Sequence, residues 1–241
     1  MCGRFVSTST PQQLADYFSV DELAGDVAEQ PNENFNVSPT QSVIVVTERA
    51  VAEEPDAAHI RVLDRYRWGL VPSWAKDKSV GNRMINARAE TVVEKPAYRK
   101  PFVARRCIIP ATGFYEWKKA KDGKTKQPYF IHPKHEPLFA FAGLWERWRD
   151  PETDEWLRTC TIITGDPNKI VRPIHDRMPV VLPREHWDEW LDPTNDDVEA
   201  LRKLLVPAPD GAVEAYPVST RVNSPRNNAP ENLDEEPHPA V

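Results

Sequence analysis

Cysteine is scarce in this chain: three residues, Cys2, Cys107 and Cys160, among 241. They are too few and too scattered for a disulfide framework or a zinc ribbon, which points to a reducing compartment. Long hydrophobic runs are missing too. No stretch approaches the roughly 20 apolar residues that span a bilayer. Met1 is followed at once by Cys-Gly-Arg, with no basic and then apolar leader, so a soluble, cytoplasmic protein without a signal peptide is expected. The six histidines form no HxxxH or HExxH pair and have no cysteine spaced as a partner, so no metal site is expected. Neither a GxGxxG fingerprint nor a phosphate-cradling P-loop occurs, so no cofactor is expected. Ser219 and Ser224 sit in no nucleophile elbow. A net charge of −6 argues against coating of duplex DNA by bulk electrostatics.

Proline, in contrast, is abundant, and 24 of them cut the chain into short pieces that disfavour a helical bundle. Thr10-Pro11-Gln12-Gln13 carries an N-cap, a first-turn proline and a capping-box glutamine, so a helix follows with Leu14, Tyr17 and Phe18 on one face. Strand-like runs cover 42–47, 59–68, 106–109, 128–131, 138–145 and 158–163. Lys121-Asp122-Gly123-Lys124 reads as a hairpin turn. Further helices are expected after Asp166-Pro167 and over 184–191 and 194–205, the last with Val198, Leu201, Leu204 and Leu205 in one stripe. The sum is a strand-dominated α+β domain over residues 2–222 with peripheral helices. The acidic, Pro- and Asn-rich tail, 223–241, is expected to lack structure. Acidic residues crowd 21–33, 53–56, 150–155, 192–199 and 231–236, whereas arginines cluster within 83–88, 99–106 and 172–177. A local basic groove on an acidic body fits this distribution, as does a solvated charged face.

A few residues could carry chemistry. Loss of Met1 would expose the α-amine of Cys2, whose pKa of roughly 7.7–8 leaves a useful nucleophilic fraction at neutral pH. Its thiol, ordinarily near 8.5, would be lowered by a nearby cation such as Arg4. The thiol could attack an acyl carbon, or the amine could form a Schiff base that the thiol closes to a thiazolidine. A small buried terminal residue is the plainer alternative. In Gly113-Phe114-Tyr115-Glu116-Trp117, aromatic neighbours would desolvate Glu116 and raise its pKa towards acid–base use; a water-facing strand glutamate has the same pattern. Pro173-Ile174-His175-Asp176-Arg177-Met178-Pro179 holds a histidine in a short rigid segment, as a proton shuttle or a hydrogen-bonded loop residue. Asn86 offers an amide anchor, and Arg83 and Arg88 suit phosphates. Of two nearby indoles, Trp68 closes a strand and belongs to the core, while Trp74, beyond a proline, suits stacking on a base.

Eight segments in order resemble the SRAP (SOS response-associated peptidase) family over residues 2–223. They are Cys2-Gly3-Arg4-Phe5, Asn36-Val37-Ser38-Pro39-Thr40, Trp68-Gly69-Leu70-Val71-Pro72, Asn86-Ala87-Arg88-Ala89-Glu90-Thr91, Arg106-Cys107-Ile108-Ile109-Pro110, Gly113-Phe114-Tyr115-Glu116-Trp117, Phe141-Ala142-Gly143-Leu144-Trp145-Glu146 and Ile174-His175-Asp176-Arg177-Met178-Pro179. The resemblance implies curved antiparallel sheets in a barrel-like core. It also implies a monomer that binds abasic sites in single-stranded DNA and links to them covalently through Cys2. On that likeness Glu116 is the acid–base group, His175 opens the sugar or moves protons, and Asn86 holds the deoxyribose or the amino terminus. Arg4, Arg88 and Arg177 hold phosphates, and Pro39 and Trp74 pack against bases. Other readings of the same residues are an N-terminal-nucleophile hydrolase such as a glutamine amidotransferase, a peptidase, and a plain single-strand binder with Cys2 inert.

Overall fold

The strand-like runs of the sequence fall into two sheets in the computed structural model, which describes residues 2–29, 33–51, 58–120 and 123–237. In chain order the elements are β1 (Phe5–Ser7), α1 (Pro11–Phe18), β2 (Glu22–Leu23), β3 (Asn34–Val37), β4 (Ser42–Ala50), β5 (His59–Trp68) and β6 (Asn86–Arg88). There follow α2 (Pro96–Ala104), β7 (Arg106–Ala111), β8 (Gly113–Lys119), β9 (Lys126–Pro133), β10 (Phe139–Arg149) and β11 (Trp156–Gly165). The chain ends with β12 (Met178–Pro179), α3 (Trp187–Leu191), α4 (Val198–Lys203) and β13 (Val213–Pro217). One sheet is antiparallel in the order β13-β9-β8-β1-β3. In the other, β5-β4-β7-β10-β11 closes on itself because Thr159 and Cys160 of β11 pair in parallel with Arg67 and Trp68 of β5. A five-stranded barrel results, with β2, β6 and β12 attached to its edges.

The continuous apolar run of β4 follows from burial on both faces. Val43 and Val45 join a core shared with Phe5, Trp68, Phe114 and Phe141, which welds the open sheet to the barrel. Ile44 and Val46 join a second core beneath the helices, with Phe18, Phe102, Trp187, Trp190 and Leu201. In α1 the Thr10 side chain accepts from Gln13 N–H and the Gln13 side chain accepts from Thr10 N–H, which realises the expected capping box.

Three expectations are revised. No helix follows Asp166-Pro167: Asn168 instead accepts the Val171 N–H and donates to the Ala208 carbonyl, folding the segment into turns before Pro173. The helix expected over 194–205 begins only at Val198, because Asn195 accepts from Asp197 N–H and Asp197 then caps Ala200 N–H. The segment 223–237 is folded, not loose. Asn36 Nδ2 donates to the carbonyls of Val222, Ser224 and Asn227, Asn228 Oδ1 accepts from Phe35 N–H, and Val218 bridges Glu235. Asparagine side chains there satisfy backbone groups that a strand ladder would otherwise serve. Residues 238–241, the acids at 53–56 and Lys121-Asp122 of the expected hairpin turn lie outside the described residues.

Arg106, which the sequence groups with a basic cluster, is buried and structural. Its guanidinium donates to the carbonyls of Phe102 and Val103 at the end of α2, of Trp190 and Asp192 at the end of α3, and of Asn195. A cation satisfying orphan carbonyls at two helix C-termini is favourable in geometry and dipole. Burial still pulls its pKa down to about 10. Replacing the guanidinium strands several carbonyls in the dry interior, so Arg106→Met should lose about 3–5 kcal/mol in urea unfolding. An unchanged midpoint would count against this bracing role.

Candidate active site at the amino terminus

The site begins with the strand that carries the N-terminus. β1 lies between β8 and β3, with Phe5 opposite Phe114 and Val37. Tyr115 N–H donates to the Arg4 carbonyl at 2.9 Å, which carries the pairing towards the terminus and brings Glu116 beside the Cys2–Gly3 segment. Cys2 is fully buried, packed in the core that joins the two sheets. From the barrel side, β6 runs parallel to β11, with Asn86 opposite Ile162. That pairing aims the Asn86 amide at Cys2, whose carbonyl accepts its Nδ2–H at 2.8 Å. Asn86 Oδ1 is buried without a hydrogen-bond partner among the described residues.

His175 approaches from the loop after β11. Its backbone N–H is held by the Val171 carbonyl at 2.9 Å. Its Nδ1 is met at 3.0 Å both by the Arg177 N–H and by an Asp176 carboxylate oxygen. Nε2 faces Glu116 Oε2 at 3.7 Å. Cys2, Asn86, Glu116 and His175 therefore converge from two sheets and a loop.

Burial sets the electrostatics. It pushes the Glu116 carboxyl up to about 7, so this group exchanges its proton at neutral pH. The His175 imidazole is pulled below its ordinary value, again mainly by burial, and is held neutral. The Cys2 thiol is pushed far up by burial and by the Glu116 carboxylate. This overturns the expectation that Arg4 would lower it. The Arg4 guanidinium instead reaches Asn36 Oδ1 at 2.6 Å and the Val222 carbonyl at 2.8 Å, with the Trp117 ring 5.9 Å away.

Outside the four-residue cluster an open groove of about 400 Å³ is lined by Trp74, Met84, Asn86, Arg88, Pro96 and Tyr98, among others. Trp74 is 67% exposed and Arg88 is exposed, as is Arg83. Trp68, as expected, is core. The Trp74 loop is held rigidly. Gly69 has φ +124°, and a Cβ on it would lie 2.6 Å from the Gly81 carbonyl oxygen, so the two segments touch backbone to backbone. Pro39 sits on a half-buried turn tied to Trp68 by Thr40 N–H. Arg177 is engaged: its two terminal nitrogens donate to the Glu90 carboxylate at 2.7 and 2.8 Å. The same fork would suit a phosphate. Tyr98 and Glu90 escape sequence reasoning. Glu90 lies within a quoted motif but is assigned no role, and Tyr98 stands on α2, a helix no pattern announces.

The Glu116 shift has a consequence for stability. Its folded-state pKa lies above the unfolded value near 4.3, so its contribution is present below about pH 4.3 and lost as pH rises through about 7. The full span is about 4 kcal/mol. Glu116→Gln should therefore gain stability relative to the parent between pH 5 and pH 8, read as the difference in Tm. A difference that does not vary with pH would contradict the raised pKa.

The chain is similar to known proteins along nearly its whole length. The family model described as SOS response associated peptidase (SRAP) matches residues 1–225. Abasic site processing protein YoaM of Bacillus subtilis is 48% identical, covering 99% of this chain and 100% of that protein. Abasic site processing protein HMCES of Gallus gallus is 36% identical, over 83% of this chain and 65% of that protein. A crystal structure of a protein from Bacteroides thetaiotaomicron superposes with a TM-score of 0.84 at 28% identity, covering 98% of this chain and 100% of that one.

Proposed function

The chain belongs to the SOS response associated peptidase family, and we propose that it processes abasic sites in single-stranded DNA by covalent capture on Cys2 once Met1 has been removed. The observation that carries this reading is the double placement of Asn86. Its amide holds the Cys2 carbonyl, while the same residue lines the groove that Trp74 and Arg88 open to solvent. A sugar entering that groove is led to the amino terminus. The names of the relatives YoaM and HMCES agree with such a substrate. The protein acts as a cytoplasmic monomer and needs no cofactor for the steps below. Among the described residues no helix is long and apolar enough to cross a membrane.

The burial pattern supports an order of events. An abasic sugar is mostly a closed hemiacetal, and ring opening needs a proton at the ring oxygen and loss of one from the hydroxyl, which Glu116 and His175 can exchange. The Cys2 α-amine then adds to the C1′ aldehyde, and water leaves with a proton from Glu116 to give a protonated Schiff base. The thiol, kept neutral by burial and by the Glu116 carboxylate, reacts second. The cationic iminium beside it favours loss of the thiol proton to the Glu116 carboxylate. Sulfur bonds to C1′ as the C=N π pair moves to nitrogen, which closes a thiazolidine. Removing the iminium suppresses the β-elimination that would cut the strand.

The decisive measurement is the intact mass of the protein with and without an abasic oligonucleotide. It should show loss of Met1 and an adduct equal to the sum of protein and oligonucleotide less one water. Cys2→Ala should abolish the heat-stable adduct while retaining non-covalent binding; an adduct that persists would sink the proposal. Glu116→Gln should slow crosslinking by about 100-fold. The parent rate should be bell-shaped in pH, rising as the amine deprotonates with a pKa of roughly 7.7–8 and falling as Glu116 loses its proton above about 7. In Glu116→Gln the falling limb should disappear.

A further inference from the structure

The β10–β11 hairpin presents two different faces. Trp148 points inward, and its indole N–H donates to the Ala75 carbonyl at 2.7 Å, pinning the loop that displays Trp74. The outward face pairs Arg147 with Arg158 and Arg149 with Trp156. Directly opposed like charges are unfavourable on a strand pair unless an anion lies between or over them. Arg158 is paired with Asp64, and Arg149 with Asp154. Arg147 has no ion pair among the described residues; its guanidinium lies 4.4 Å from the centroid of the Trp156 ring. Trp156 itself is 56% exposed, an unusual setting for the largest apolar side chain.

Trp156 stands as a fin between two open grooves. One, of about 580 Å³, is lined by Lys100, Arg105, Arg147 and Arg149 and reaches Ser73, the neighbour of Trp74. The other, of about 600 Å³, is lined by Arg65, Arg67 and Arg158 and reaches Thr40, the neighbour of Pro39. Glu146 is the one carboxylate on either wall. Arg65, Arg105, Arg149 and Arg158 face Asp26, Glu146, Asp154 and Asp64, whereas Lys100, Arg67 and Arg147 have no ion pair among the described residues, so uncompensated cations stand around an exposed indole and run up to the loops of Trp74 and Pro39.

We propose that this face is a second nucleic-acid surface, which holds the single strand flanking the abasic site with one unpaired base stacked on Trp156 and its phosphates along the arginine-lined grooves. The proposal rests on the single-strand reading above. Arginines that track a backbone and an aromatic ring that takes a base are the two elements of sequence-tolerant single-strand binding. Arg147 and Arg149 cover part of the Trp156 ring; an acidic peptide would engage the arginines alone, whereas a single strand also offers an unpaired base to the exposed remainder of the indole.

The test compares two oligonucleotides with a non-reactive abasic analogue, about 5 and about 20 nucleotides long, since single-strand sites run from about 4 to 16 nucleotides. Binding is read by fluorescence anisotropy for the parent, Trp156→Ala and Arg147→Glu. Each variant should weaken the long oligonucleotide about tenfold and the short one less than twofold, with Trp156→Phe restoring most of the loss. Losing the Arg147 cation should also reduce the salt slope on the long strand by about 0.7. Equal affinities of parent and variants for the long strand, or equal losses at both lengths, would overturn the proposal. Crosslinking of the parent to a short natural abasic oligonucleotide is scored separately. Its absence alongside length-dependent binding would remove the Cys2 chemistry and leave the surface standing.

Discussion

The site depends on one act of strand pairing, the insertion of β1 between β8 and β3. A three-residue strand at a chain terminus would ordinarily fray. Here it is held by the burial of Phe5 against Trp68 and Phe141, by Tyr115 N–H on the Arg4 carbonyl, and by the Asn86 amide on the Cys2 carbonyl. Those contacts come from both sheets, so the amino terminus sits at the seam where the barrel meets the open sheet. A seam of this kind is dry enough to shift pKa values and still borders the surface.

The two electrostatic regimes of the molecule follow from that position. Inside the seam, burial keeps the Cys2 thiol and the His175 imidazole neutral and leaves Glu116 balanced between its two states. On the rim, arginines are either exposed, as Arg88 is, or engaged with carboxylates, as in Arg177–Glu90 and Arg158–Asp64. The engaged pairs let an acidic chain carry a cationic face without uncompensated repulsion. They also keep the guanidinium forks open to an exchange of one oxyanion for another. Arg106 follows a different logic: its partners are helix-end carbonyls, so its charge serves the fold alone.

Much of this was legible in the residues. The capping box of α1 and the strand-like runs at 42–47 and 59–68 are local signals, and each appears in the fold as α1, β4 and β5. Glu116 was legible as a candidate, but its desolvation was not, because the aromatic residues on either side of it point to the opposite face of the strand and burial comes from tertiary packing. Other features had no local signal. The helix after Asp166-Pro167 is replaced by turns because Asn168 finds the distant Ala208 carbonyl. Segment 223–237, disordered by composition, is ordered by Asn36 from the opposite end of the chain. The proximity of Arg4 to Cys2 in sequence misleads, because the Arg4 guanidinium is drawn away to Asn36 and the Val222 carbonyl.

The sequence by itself determined part of the strand pattern, the first helix and the chemical inventory: a cysteine at position 2, an amide, a carboxyl and an imidazole in short segments, and the family to which their order belongs. Only the tertiary structure decided which of them meet, and in what protonation state. Pairing between β6 and β11 aims Asn86 at Cys2, and the loop from Asn168 to Arg177 brings His175 to Glu116. Proton affinity in such a place is set by the solvent that packing excludes, and exclusion is a property of surfaces brought together from distant parts of the chain.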